Sequence, residues 1–276
     1  MGPSSAGAAP WREPYRAWLD ILEPLEGTAR LARLDAWARE AGLTCGSGRG
    51  LRFVPAGADA QAHGYEARIF ESGEVATRID GPGARHDLYN ALAWLAWPRT
   101  KARLNALHAQ ARAADGPDAP RGPLRDAATL FDENAALWVG NDASLEAALR
   151  AFDWPSVFVH GRARLLGAVR VYVFGHALLE KLDAPYKGIT AHAWPLHLPP
   201  DAGPATIDAV LATGLDAQRL STRAFCPLPV LGMPGWCEAN HDPAFYNDAS
   251  VFRPGRRGTA SRGALQDGGP TRGHAT

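Results

Sequence analysis

The chain has 276 residues, 46% hydrophobic and 21% charged. This is ordinary globular usage and excludes collagen, coiled coil and wholesale disorder. Lys plus Arg and Asp plus Glu each number 29, so the net charge is zero, which argues against a general nucleic-acid binder.

Small, polar residues fill positions 1–10, and Gly, Arg, Ser and Thr dominate 254–276. Neither segment has the apolar surface to order itself, so both are expected to be disordered tails. The basic C-terminal tail is the one stretch with any character of a nucleic-acid tether. Residues 14–42 predict two helices, the second with Leu31, Leu34 and Trp37 at helical spacing, Thr28 as its cap and Gly42 as its stop. A strand is expected over 51–54. Alternation at Tyr65, Ala67 and Ile69, a Ser72-Gly73 turn, and Val75, Thr77 and Ile79 predict a β-hairpin over 65–80. Helices follow over 87–96 and 99–114, separated by Pro98. A Gly/Pro loop covers 115–123, and helices are expected over 125–130 and 144–152. The clearest strand is Val169–Phe174. After Gly175 come a helix over 176–182, a strand over 190–194 and a helix over 206–215. Residues 226–248 read as irregular but packed. Helices and strands mix without a βαβ rhythm, which predicts a single α+β domain over 11–253.

Cys45, Cys226 and Cys237 include no C-x-x-C pair, so neither a zinc ribbon nor a thioredoxin-type site is written here. Their low number suits a reducing cytosol. The first residues lack the basic and apolar regions of a secretory signal. The longest charge-free run, Ala224–Cys237, contains three prolines and falls short of the roughly 20 apolar residues of a spanning helix. A cytoplasmic protein with no membrane partner is expected. The glycines at 46, 48 and 50 do not make a phosphate loop: Leu51 stands where the dinucleotide pattern needs glycine, and the segment precedes a strand instead of following one.

Polar chemistry collects in three blocks. His86 and Asn90 lie one turn apart on an otherwise apolar helix, with Asp87 between them as either a site residue or a helix cap. Asp132 and Glu133 are paired carboxylates, able to bind a metal, share a proton or make salt bridges. His176 opens a helix where imidazolium is disfavoured, with Glu180 one turn on and His192 on the next strand. The candidate catalytic set is therefore His86, Asp87, Asn90, Asp132, Glu133, His176 and Glu180. Two histidines and a carboxylate can hold a metal, but a structural histidine–glutamate contact explains the same residues. Lys101, Asn105, His108 and Arg112 form a stripe read as a solvent-facing side.

Several blocks together resemble a known family. They are His86-Asp87-Leu88-Tyr89-Asn90 with Trp97-Pro98-Arg99-Thr100-Lys101; Thr129-Leu130-Phe131-Asp132-Glu133-Asn134; Phe174-Gly175-His176-Ala177-Leu178-Leu179-Glu180; and Pro227-Leu228-Pro229 with Pro234-Gly235-Trp236. The chain resembles the bacterial family catalogued as domain of unknown function 3025. The resemblance implies a bacterial protein and no particular activity. Function and cofactor stay open. One reading is a hydrolase-type enzyme with a His/Asp/Glu/Asn-lined pocket. A second is a non-catalytic module that binds a small molecule or a protein at the same pocket. A third is an interaction protein working through exposed tryptophans or the basic tail.

Overall fold

The computed structural model describes residues 9–57, 64–116, 120 and 122–255. Most of the two expected tails, 1–8 and 256–276, lie outside the described residues. Helices α1 (Arg16–Leu22) and α2 (Gly27–Glu40) fill the expected helical stretch, with Leu31 and Leu34 buried. Gly42 has φ of +61°, a conformation costly for other L residues, and α2 stops before it. Thr28 lies inside the first turn, and Glu26 takes the cap position expected for it.

Strand β1 (Arg52–Pro55), helix α3 (Tyr65–Ser72) and strand β2 (Glu74–Thr77) follow. Here the expected hairpin is corrected. Its first arm is helical, and β2 pairs in parallel with β1, Phe53 opposite Val75. The alternating residues also contain the helical pair Tyr65 and Ile69, four apart, and Glu66, Ala67 and Arg68 are good helix formers. Ser72-Gly73 ends the helix instead of turning a hairpin: Gly73, at φ +77°, donates its N–H to the Ile69 carbonyl. Helix α3 is thus the crossover that parallel strands require.

Helices α4 (Ala84–Ala96) and α5 (Pro98–Asp115) are divided at Trp97, with Pro98 in the first position of α5. Helix α6 (Pro123–Asn134) runs without a loop into β3 (Ala135–Gly140), a strand buried along its whole length. Helices α7 (Ala143–Arg150) and α8 (Arg162–Ala168) come next, with a helical turn Pro155–Val159 between them. The chain continues through β4 (Val169–Val173), α9 (His176–Lys181), β5 (Thr190–Leu196), α10 (Pro204–Gly214) and β6 (Cys226–Pro229). Strands β4-β3-β5-β6 form one sheet in that order. Strand β3 runs antiparallel to β4 and parallel to β5, and β5 runs antiparallel to β6. The result is an α+β arrangement of helices around two small sheets.

The expected solvent stripe on α5 is also corrected. Lys101, Asn105 and His108 are only 4%, 1% and 8% exposed. Helix α5 packs against α3, α6 and α10 and has no broad free face. Its polar side chains meet polar partners: Asn105 accepts from the Gly46 N–H at 3.1 Å and donates to the Glu66 carbonyl at 2.8 Å. The N-terminus of α5 is capped by a buried carboxylate from α10, Asp208, which accepts from the N–H groups of Arg99 at 3.0 Å and Thr100 at 2.9 Å.

Aromatic residues join the layers. The Phe131 ring lies 5.0 Å from Phe174 and 5.3 Å from Trp194. Trp97 Nε1 donates to Tyr15 Oη at 2.7 Å, which donates to the Val173 carbonyl at 2.8 Å. No helix among the described residues is long and apolar enough to cross a membrane.

Candidate metal centre

The connection of α6 to β3 and of β4 to α9 creates the site. Strands β3 and β4 pair with Ala136 opposite Val173. The last turn of α6, carrying Asp132 and Glu133, therefore lies beside the first turn of α9, carrying His176. Gly175 makes the approach close enough. A Cβ there would fall 2.4 Å from the Glu133 carbonyl oxygen and 2.5 Å from the Asn134 nitrogen. Helix α4 packs along α9 and brings His86, in its first turn, over His176.

Two imidazoles and a carboxylate then share one small space. The Nε2 atoms of His86 and His176 are 3.1 Å apart, and Glu133 Oε2 lies 3.5 Å from His176 Nε2. One donor atom from each of the three residues lies within 4.8 Å of the other two. Ligands of a tetrahedral ion with metal–nitrogen bonds of roughly 2.0–2.1 Å stand roughly 3.3 Å from one another, so the spacing fits a shared ion. His176 is buried, while His86, Glu133 and Glu180 are partly exposed, and the cluster opens to solvent on their side.

Each histidine has a carboxylate behind it. His86 Nδ1 lies 3.0 Å from Glu180 Oε2, and His176 Nδ1 lies 3.6 Å from Asp132 Oδ2. Asp132 is tied by its other oxygen to Lys101 Nζ at 2.5 Å. The buried Lys101 also donates to Asn90 Oδ1 at 2.8 Å and lies 5.2 Å from the centre of the Trp94 ring. Asn90 in turn donates to Tyr65 Oη at 2.8 Å.

The charges are set by burial first. Burial pushes the pKa of His176 down to about 3; the negative Asp132 acts against this, and the positive charge of Lys101 acts with it. His176 is therefore neutral, as a metal ligand must be. Burial opposes ionisation of Asp132, but the Lys101 ammonium beside it holds its pKa below the usual carboxylate range. Burial and then the charge of Asp132 hold Glu133 above that range. An incoming cation would relieve this strain on Glu133.

The structure brings six of the seven sequence candidates into one connected cluster: His86, Asn90, Asp132, Glu133, His176 and Glu180. Asn90 joins through Lys101. Asp87 is engaged elsewhere, accepting from the Arg78 backbone N–H at 2.7 Å and from its guanidinium at 2.8 and 2.7 Å. It is not the cap of α4, whose start has no side-chain cap. Glu180 meets His86, not His176 one turn before it. His192 sits against Phe225, with ring centres 5.7 Å apart, outside the three-donor group. Lys101 is the residue that sequence reasoning placed in solvent; its signal was an isolated lysine in a chain whose positive charge is almost all arginine. A separate cavity of about 200 Å³ lies beside β4, against Leu166, Met233 and Trp236, and shares no residue with the cluster.

No curated protein and no solved structure matches the chain. A family model does, from just before β1 to the end of the described residues, and it includes every residue of the cluster. That model, described as "Protein of unknown function (DUF3025)", matches residues 51–256, and the chain belongs to this family.

Proposed function

We propose that the protein is a metal-dependent enzyme of the hydrolase type, built around one divalent transition-metal ion held by His86, Glu133 and His176. The observation that supports this reading is the 3.1 Å approach of two imidazole nitrogens beside the Glu133 carboxylate. Neutral nitrogen donors suit zinc or ferrous iron, whereas calcium and magnesium favour oxygen ligands. Three protein ligands leave a position for water or substrate, and the partly exposed side of the cluster gives access to it. A bound ion of this kind brings the pKa of its water near about 7 and so supplies hydroxide at neutral pH. Glu180 accepts from His86 Nδ1–H and leaves His86 Nε2 free as a ligand. The setting we propose is a reducing bacterial cytoplasm, in keeping with three free cysteines.

Turnover tests the reading. Metal-stripped and zinc-loaded protein would be compared on panels of simple esters, phosphoesters and amides. Hydrolysis is expected only in the loaded form, with a loss of at least roughly 100-fold on Glu133→Gln. Metal binding without turnover of any class would favour the non-catalytic binding module.

A further inference from the structure

We infer that Asp132 is a positioning residue of this metal centre: it receives the proton that His176 must carry on Nδ1 once His176 Nε2 holds the ion. The inference rests on the metal reading above and adds a residue that does not touch the ion. Its basis is a mismatch in the hydrogen bonding of the cluster.

The tautomers follow from the contacts. Glu180 is an acceptor, so His86 carries its proton on Nδ1 and presents a bare lone pair at Nε2. The 3.1 Å contact between the two Nε2 atoms then requires the proton on His176 Nε2. His176 is left with a bare lone pair on Nδ1, a buried atom with no hydrogen-bond partner. What Asp132 turns to the imidazole is acceptors: its Oδ2, 3.6 Å from Nδ1, and its backbone carbonyl. Two acceptors facing each other in a buried site repel, and the imidazole lone pair is left unsatisfied.

An ion between the two Nε2 atoms removes the mismatch. It takes the place of the proton they share, and both nitrogens become ligands. The His176 proton passes to Nδ1, where Asp132 Oδ2 is already waiting as an acceptor. The proton count is unchanged: the proton on Nε2 passes to solvent as that nitrogen becomes a ligand, and Nδ1 takes one proton back from solvent. Lys101 holds Asp132 Oδ1, so only Oδ2 is turned to the histidine. Asn90, fixed between Lys101 and Tyr65, keeps the lysine from swinging away. Both histidines of the loaded site would then donate Nδ1–H to a carboxylate, Glu180 behind His86 and Asp132 behind His176.

Asp132→Asn separates this role from simple packing. Lys101 would claim the amide oxygen, and the amide NH₂ would face His176 Nδ1. That arrangement stabilises the tautomer that cannot bind metal through Nε2. The full chain, stripped of metal, would be titrated with Co²⁺ and followed by its visible absorption. The variant is expected to bind Co²⁺ roughly 10–100-fold more weakly than the parent, with an altered spectrum. Nitrogen-15 histidine spectra of the parent protein supply a second measurement that does not depend on the variant folding. On zinc loading, His176 is expected to move from the Nε2–H to the Nδ1–H form, with the Nδ1 proton downfield and slow to exchange. Parent-like affinity and spectrum in Asp132→Asn, or an exposed, fast-exchanging Nδ1 proton in the loaded parent, would overturn the role of Asp132 and leave the metal site standing. Failure of the parent protein to bind Co²⁺ or Zn²⁺ would overturn the metal reading itself.

Discussion

Burial of His176 has a measurable consequence. Its folded pKa is near about 3, against an ordinary value of 6.5, because burial penalises the imidazolium. Between these values the unfolded chain binds the proton and the folded chain does not. Stability from this group is therefore present above about pH 6.5 and is lost as the pH falls towards 3. In metal-free protein, urea unfolding near about pH 7 and about pH 4.5 is expected to show a smaller acid loss for His176→Gln than for the parent. Equal losses would contradict the assignment. The cysteines give a second test at this scale. Burial pushes the Cys226 thiol up to about 11, and Cys45 is also buried, whereas Cys237 is partly exposed. Since the thiolate is the reactive form, iodoacetamide at about pH 8 is expected to label Cys237 first and Cys226 only on unfolding. Mass spectrometry of the native protein would check this, and early labelling of Cys226 would contradict it.

Among the elements, the junction of α6 and α9 matters most, and it depends on a glycine that touches no ligand. Gly175→Ala would place a methyl group 2.4 Å from the Glu133 carbonyl oxygen. Backbone cannot yield as a side-chain tip can, so the helix ends must separate. We expect a stability loss of about 1–3 kcal/mol, as for overpacked sites, together with weaker zinc binding. Thermal unfolding and zinc titration of the variant would show this; a stable variant with parent-like zinc affinity would refute the role of the glycine. The same junction shows what was legible in the sequence. Val169–Phe174, Gly175 and the helix starting at His176 were readable because alternation, glycine and helical spacing change within a few residues. Strand β3 was not, since Ala135–Gly140 is apolar throughout and carries no period. Without β3, nothing in the sequence put Asp132 and Glu133 beside His176. The first arm of the supposed hairpin failed for the opposite reason: Tyr65 and Ile69, four apart, satisfy strand and helix spacing at once. Periodicity on α5 was real, but it marked a polar interior between three helices instead of a wet face.

At the scale of the described molecule, helices and two small sheets make an α+β arrangement, with the polar cluster at the meeting of α4, α6 and α9. Neither the zero net charge nor the buried aromatic core distinguishes an enzyme from a binding module. The distinguishing feature is the set of three donor atoms within 4.8 Å, two of them histidine nitrogens. An ion bound only by the folded chain must also stabilise it, by roughly 2.7 kcal/mol at a free concentration 100 times the Kd. Calorimetric titration of the metal-stripped full chain with zinc tests the central claim most directly. One ion per chain is expected, with the binding lost in both His86→Ala and His176→Ala while their circular dichroism stays that of the folded parent. No zinc uptake by the parent, or undiminished uptake by either folded variant, would contradict it.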